Sequence, residues 1–410
     1  MKLELARGNF PLNNISIDIG GSKSESNRLL ILQSQLANIG IKNLSQSDDT
    51  KVLQEALKVS RGIIDIGHAG TAMRFLTAYF SAQPNIDVIL MGSQRMHNRP
   101  IGVLVDALRK LGANISYLKT EGYPPLKIIG NTLVKDIVSI NSGVSSQYIS
   151  ALLLIAPSLP NGLKLSLDGK ITSLPYIEMT LSLLKQTGIS SSFNGRQITI
   201  SPVKNKVSAT LQIESDWSSA SYFYSLVALS NNCKITLFSF NKTSVQGDAA
   251  LVQIYEALGV ETTFNTVKKT ITISKKKGEL ADTLMLDLSN TPDLAQTIAV
   301  TCFGLGITCR LWGLQTLKIK ETDRLFALKN ELEKMGASVK IDDESIYVER
   351  LGAIKGNMQI ETYQDHRMAM AFAPLAIIVN LSIANPEVVS KSYPKFWQDL
   401  SKTGINCVEK

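Results

Sequence analysis

Apolar residues recur at three- and four-residue spacing in six stretches of the chain, each closed by a glycine and followed by a β-prone run. The stretches are LLILQSQLANIGIKNL, VDALRKLGANISYL, IEMTLSLLKQTGISSSF, VQIYEALGVETTF, FALKNELEKMGASVKI and WQDLSKTGINCVEK. The pattern predicts six amphipathic helices, each stopped by glycine and leading into a strand. The glycines are Gly40, Gly112, Gly188, Gly259, Gly336 and Gly404, and each suits the left-handed position just past a helix. They recur at roughly 70-residue intervals, the mark of a repeated supersecondary unit. Between them, YPPLKIIG, LKLSLDG, QITISPV, KITLFSF, TITISKK and SIYVERL alternate apolar and polar positions, as strands do. Each unit therefore holds a helix or two and several strands. Six units predict two α/β domains of three units each, joined without a Gly/Ser/Pro-rich linker.

Composition fits this picture. The chain has 410 residues with 44% hydrophobic content, ample for two cores, and a formal charge of +8 that suits anionic small substrates or nucleic acid. The basic run Lys275-Lys276-Lys277, following Lys268-Lys269, flanks an alternating strand and reads as a solvated hairpin. The cysteines, Cys233, Cys302, Cys309 and Cys407, lack CxxC spacing, and the only histidines are His68, His97 and His366. A disulfide framework and a histidine metal cage are both disfavoured. The N-terminus MKLELARGNF is charged where a signal peptide is apolar, and MAMAFAPLAIIVNLSIA is interrupted by Pro374 and Asn380. It reads as a buried helix leading into a strand, and the chain as cytoplasmic, without a membrane partner.

One feature resists a purely structural reading. Helix N-termini are electropositive, so a cation there costs about 0.3–1 kcal/mol. Yet Lys320 and Arg324 bracket the start of the fifth helix, where Asp323 or a Thr322 cap belongs. Lys23 and Arg28 lie at the start of SKSESNRLLIL, Arg74 in GTAMRFL, and His366 and Arg367 after Asp365. Other helix starts carry Ser145, Ser146 and Gln147, Thr172 and Ser173 before Pro175, and Asp293 after Pro292. Singly, Arg74 and Arg367 could pair with surface carboxylates, and Asp293 and Asp365 could be plain caps. Jointly, the cations fit helix starts aimed at bound anions, several phosphates or carboxylates in all. Glu321 and Asp293 would oppose such binding unless they transfer protons.

The segments SKSESNR, GTAMR, NRPIG, GYPPL, SGVSSQ, KETDRL and DHRMAM, from residue 21 to residue 394, resemble the 5-enolpyruvylshikimate-3-phosphate synthase family in its own order. The resemblance implies two similar domains, each of three βαβαββ units, with the active site in the interdomain cleft. It implies a chain that begins in one domain, crosses near Gly21 and returns near Glu214, giving 22–213 as one domain and 1–21 with 214–410 as the other. The implied reaction moves the enolpyruvyl group of phosphoenolpyruvate onto the 5-hydroxyl of shikimate 3-phosphate and releases phosphate, a step of chorismate and aromatic amino acid biosynthesis. No metal or organic cofactor is implied, the partners are the two small molecules, and a monomer is expected.

Site roles follow from the same resemblance. Asp293 would take the 5-hydroxyl proton and Glu321 would protonate the methylene carbon, with Lys23 assisting between the substrates. Ser24 and Arg28 would hold the shikimate ring and its carboxylate. Ser145, Ser146 and Ser173 would bind the 3-phosphate, with Gln147 close to both ligands and Lys320 reaching shikimate 3-phosphate. Arg99, Arg324, Arg367 and Lys391 would clamp phosphoenolpyruvate, with Gly70 against it. His68, Phe75 and Thr316 depart from the family's usual residues, and Lys391 lacks the usual preceding cysteine. A related transferase acting on UDP-N-acetylglucosamine uses a loop cysteine, but no cysteine precedes Cys233 here. An RNA-end-binding module would need aromatic stacking residues and a basic stripe; aromatics are only 6% and the cations stand singly.

Overall fold

The computed structural model describes residues 1–8, 14–36, 38–203 and 208–410. Its contacts divide the chain into two compact units, Gly21–Ile213 and Met1–Gly20 with Glu214–Lys410.

Within the units, one design recurs. Strand Arg61–Asp65 leads through helix Gly70–Ser81 to strand Asp87–Met91, which pairs parallel with it, Arg61 opposite Asp87. Helix Gly102–Leu111 follows, then the antiparallel strands Asn114–Tyr117 and Leu126–Ile129, the latter returning beside Asp87–Met91. A helical crossover is what a parallel pair needs, and a short turn suffices for the antiparallel pair. The same βαβαββ order gives the sheet of Ile137–Asn141, Leu163–Asp168, Ser191–Phe193 and Gln197–Ile200. It also gives the sheet of Thr283–Asp287, Thr308–Trp312, Ala337–Ile341 and Ser345–Arg350.

Two further sheets are completed by the N-terminal residues. Strand Ile15–Ile17 pairs parallel with Lys234–Phe238, beside the hairpin Val260–Asn265 and Thr270–Lys275. Strand Lys2–Arg7 lies between Leu381–Ala384 and the C-terminal strand Ile405–Glu409, with Met358–Ile360 at the edge. The sixth sheet is, among the described residues, the parallel pair Ile39–Lys42 and Ala209–Gln212.

Helices divide by rank within the repeat. In the unit 21–213, helices Lys23–Gln35, Gly70–Ser81 and Ser146–Ile155 pack on one another. In the other unit, Trp217–Leu229, Ala295–Leu305 and His366–Phe372 do the same. Nearly every residue of the last five of these is buried, and so is Glu25–Leu32 of the first. Helices that are apolar on every face belong in a core. The helices that follow them in each repeat, such as Gly102–Leu111 and Arg324–Lys334, bury one stripe and expose the other. The run MAMAFAPLAIIVNLSIA is the last core helix, a 3₁₀ turn and strand Leu381–Ala384. No helix among the described residues is long and apolar enough to cross a membrane.

Five of the six expected glycines have left-handed backbone, with φ of 109° at Gly112, 81° at Gly188, 79° at Gly259, 104° at Gly336 and 91° at Gly404. Gly40 does not. It lies inside strand Ile39–Lys42, and the left-handed turn belongs to Asn38, with φ 66°. Gly40 instead admits its parallel neighbour, since a Cβ there would stand 3.0 Å from Thr210 Oγ1. Thr322 is likewise not the cap of the fifth helix. That role belongs to Asp323, which accepts from Phe326 N at 3.1 Å.

Gly21 opens its unit under a tighter constraint. A Cβ there would fall 1.8 Å from the carbonyl oxygen of Asn43 and 3.1 Å from Ile213 Cγ2. The obstacle is backbone and cannot rotate away. Gly21→Ala should therefore destabilise the protein by about 1–3 kcal/mol, as overpacking does. Urea unfolding of the full chain measures it, and an unchanged midpoint would show that the crossing yields freely.

Candidate functional site

In the unit formed by 1–20 and 214–410, the starts of two core helices meet a cation on a further helix. Arg324 is the first residue of helix Arg324–Lys334 and is 2% exposed. Its Nε donates to Asp365 Oδ2 at 2.7 Å, Nη1 to Asp293 Oδ1 at 2.8 Å and Nη2 to Glu321 Oε2 at 2.9 Å. One buried guanidinium thus binds three carboxylates from three segments distant in sequence. Burial works against its charge, but Asp365, Glu321 and Asp293 outweigh that and hold Arg324 above its usual value.

The carboxylates are shared in turn. Asp293 Oδ2 accepts from Arg367 Nη2 at 3.1 Å, its carbonyl accepts from Arg367 Nη1 at 2.9 Å, and Lys320 Nζ lies 3.7 Å from Oδ1. Glu321 Oε1 accepts from Lys391 Nζ at 2.7 Å. Asp365 caps the last core helix by accepting from Arg367 N at 2.9 Å. Asp293 lies in the 3₁₀ turn Pro292–Leu294, immediately ahead of helix Ala295–Leu305. Burial alone would raise its carboxyl, but Arg367, Lys320 and Arg324 outweigh burial and hold it far below the usual carboxylate range. The chain enters the DHR helix through two consecutive left-handed residues, Tyr363 at φ 52° and Gln364 at φ 58°. Such backbone is unfavourable for side chains with a Cβ and persists where surrounding structure enforces it. Here Tyr363 is tied by its hydroxyl to the buried Glu331 at 2.7 Å.

The unit 21–213 has a different character. Lys23 is the first residue of its helix, and its Nζ donates to Asp49 Oδ2 at 3.1 Å. Arg28 and Arg74 lie in second turns rather than at helix starts, and both are buried. Arg74 donates to the carbonyls of Gly70 at 3.1 Å and Pro100 at 3.2 Å. Arg28 donates to Thr180 Oγ1, the Ser24 carbonyl, Ser150 Oγ and the Tyr176 carbonyl, at 2.8, 2.9, 3.0 and 3.4 Å. All four acceptors are neutral, and burial pulls Arg28 down to about 10. The departure at Phe75 finds its place here, because the guanidinium of Arg28 lies over the Phe75 ring at 5.4 Å.

Gly70 opens its helix beneath Arg99. A Cβ on Gly70 would meet Arg99 Nη1 at 2.5 Å and Cζ at 2.9 Å. The glycine therefore makes room for a guanidinium. His68, another departure, shares a hydrogen bond of 3.0 Å with Ser93, the cap of the short helix Gln94–His97 that leads to Arg99. Ser145 caps its helix by accepting from Gln147 N at 3.3 Å, Ser146 follows it, and Gln147 Nε2 donates to Thr71 Oγ1 at 3.3 Å. Ser173 precedes the helix of Pro175 in left-handed conformation, φ 55°, with no capping bond from its hydroxyl.

Sequence reading did not find every participant. Asp49 looks like an ordinary acidic first turn after Ser47. Ser218 donates to Asp248 and accepts from Arg367 Nη2 at 3.4 Å, yet both lie in segments with no cation to mark them. Ser150, Thr180 and Tyr176 serve Arg28 through contacts more than 120 residues apart. Only tertiary structure reveals such partners.

Comparison with known proteins supplies the context. The sequence model of EPSP synthase (3-phosphoshikimate 1-carboxyvinyltransferase) matches residues 58–400. A protein of Bacteroides fragilis named 3-phosphoshikimate 1-carboxyvinyltransferase is 46% identical over 395 residues, covering 95% of each chain. Among solved structures, EPSP synthase from Acinetobacter baumannii superposes with a TM-score of 0.78 at 20% identity, over 100% of both chains. The enolpyruvyl transferase NikO from Streptomyces tendae gives 0.75 at 13% identity, over 100% of this chain and 99% of that one. At those identities the two structures speak for the fold alone, whereas the matched family sequence and the 46% identical relative carry the assignment: the chain belongs to the EPSP synthase family.

Proposed function

We propose that the protein transfers the enolpyruvyl group of phosphoenolpyruvate to the 5-hydroxyl of shikimate 3-phosphate and releases phosphate, working as a cytoplasmic monomer. The observation that carries this reading is the pairing of Asp293 and Glu321 on the single guanidinium of Arg324, among Arg367, Lys320 and Lys391. Two proton-transfer groups are thereby built into a set of anion-binding cations. Bidentate arginines suit the carboxylate and phosphate of phosphoenolpyruvate.

Asp293 is a poor base while three cations hold its charge. Substrate anions that occupy those cations weaken the hold and raise the carboxylate's proton affinity. Asp293 then removes the 5-hydroxyl proton as that oxygen bonds to C2 of phosphoenolpyruvate, and Glu321 gives a proton to the C3 methylene. Elimination returns a C3 proton to Glu321, re-forms the C2–C3 double bond and breaks the bond from C2 to the phosphate oxygen, and the departing phosphate takes the proton held by Asp293. Lys23 assists in proton delivery.

The remaining roles are assigned residue by residue. Ser145, Ser146 and Ser173 hold the 3-phosphate through hydroxyls at two helix starts, where backbone N–H groups add to the attraction. Gln147, Lys320 and Ser24 contact shikimate 3-phosphate. Arg28 has four of its five N–H groups committed, so it offers a carboxylate one hydrogen bond and not a fork. Arg99, Arg324, Arg367 and Lys391 bind phosphoenolpyruvate, and Gly70 matters to that ligand through the room it leaves for Arg99.

Phosphate release from the two substrates tests the whole reading. Asp293→Asn and Glu321→Gln should each slow turnover by at least about 100-fold, the scale of general acid–base catalysis. The far-ultraviolet circular dichroism should not change. Near-normal turnover in either variant would remove that residue from the chemistry.

Gly70→Ala sets a methyl group against the end of a flexible side chain, so the fold should tolerate it. Arg99 must move, and the Michaelis constant for phosphoenolpyruvate should rise about tenfold, the loss of one charged hydrogen bond. In an Arg99→Ala background the same methyl should add nothing. Equal effects in both backgrounds would show that Gly70 acts on the ligand directly.

A further inference from the structure

Beyond Asp293, Glu321 and Asp365, a further carboxylate bears on Arg367 through Ser218, and none of the roles above uses it. Asp248 lies in the turn Gly247–Ala250 and is buried at 4% exposure. Ser218 Oγ donates to its Oδ2, and Arg367 Nη2 donates to Ser218 Oγ at 3.4 Å. The other oxygen, Oδ1, is buried without a hydrogen-bond partner. A buried carboxylate left half satisfied is costly and calls for a reason beyond folding.

The turn does not need Asp248 to hold its shape. Glu214 accepts from Trp217 Nε1 at 2.9 Å, from Asn241 N at 2.7 Å and from Ser244 Oγ. Gln246 donates to the Ser215 carbonyl at 2.9 Å and accepts from Trp217 N at 3.0 Å. These bonds already fasten the segment 241–246 to the start of helix Trp217–Leu229. Asp248 adds a buried charge that none of these bonds uses. Burial, reinforced by the charge of Asp293, pushes its carboxyl up to about 6 against the opposing pull of Arg367 and Ser218.

We infer that Asp248 is a positioning residue, which through Ser218 fixes the guanidinium of Arg367 for the anion it binds. The inference rests on the assignment of Arg367 to phosphoenolpyruvate. Asp293 and Ser218 share Nη2 of Arg367. When substrate engages the Asp293 carboxylate, the arm of Ser218 and Asp248 continues to hold that nitrogen.

The test uses the full-length protein and its rate of phosphate release from shikimate 3-phosphate and phosphoenolpyruvate. Absence of release by the wild type would overturn the functional reading itself, and with it this inference. With an active wild type, Asp248→Asn and Ser218→Ala should each raise the phosphoenolpyruvate Michaelis constant by about tenfold and leave that for shikimate 3-phosphate within about twofold, and the double variant should be no worse than the poorer single one. The melting temperature of Asp248→Asn should be equal to or above that of the wild type, because a costly buried charge has been removed. Unchanged constants, multiplicative effects of the two substitutions, or a lowered melting temperature with both constants rising together would overturn it. Ser218→Ala breaks the same arm and keeps the test decisive where Asp248→Asn folds poorly.

Discussion

Arg324, bound by three carboxylates, is the constraint on which the candidate site depends. At the first position of a helix its charge is opposed by the helix dipole, at a cost of about 0.3–1 kcal/mol. A hydrogen bond to a charged group returns about 1.5–3 kcal/mol, so three of them outweigh the dipole several times over. The larger cost is desolvation, which is why buried ion clusters contribute little net stability while strongly penalising the loss of one member. What the cluster supplies is geometry. Asp293 from one segment, Glu321 from the turn before the helix and Asp365 from the cap of another are held within 2.9 Å of one planar group.

The repeat explains why such a convergence is possible. In the sheets that begin at Arg61, Ile137 and Thr283 the first helix joins two parallel strands and goes into the core. Three core helices pack together in each unit of the chain, and their first turns carry the polar groups. The apolar helices supply the packing, and their ends supply the chemistry. The N-terminal strands matter to the same arrangement. Lys2–Arg7 and Ile15–Ile17 complete two sheets of the unit that carries Arg324, which ties its first residues to its last.

The sequence revealed the repeat because its signals are local. Helical spacing and a left-handed glycine are visible in a dozen residues, and five of six such glycines have that conformation. Gly40 misled because glycine has two uses, and there it admits the side chain of Thr210 from a strand about 170 residues away. The cations at helix starts were legible as a violation of dipole rules. Their counter-charges were less so: Asp365 reads as a cap and is also the ligand of Arg324, whereas Asp49 and Asp248 carry no local mark. A strained residue such as Ser173 or Gln364 gives no sequence signal, since its conformation is imposed from outside.

The two units solve the problem of holding an anion in different ways, and the difference follows from what else each must do. Ser145, Ser146 and Ser173 stand at helix starts, and in their proposed role their hydroxyls would bind a phosphate without a charge to neutralise beforehand. That suits a group that is only held. The set around Arg324 and Arg367 is instead engaged by carboxylates of the protein itself. An incoming anion must displace those carboxylates, which weakens binding. In the proposed reaction that displacement frees Asp293, and loss of its cation partners raises its proton affinity. On the proposed role of Asp293, binding and activation of the base are then one event: cations that hold its carboxyl far below the usual range are the same groups the substrate anions would engage.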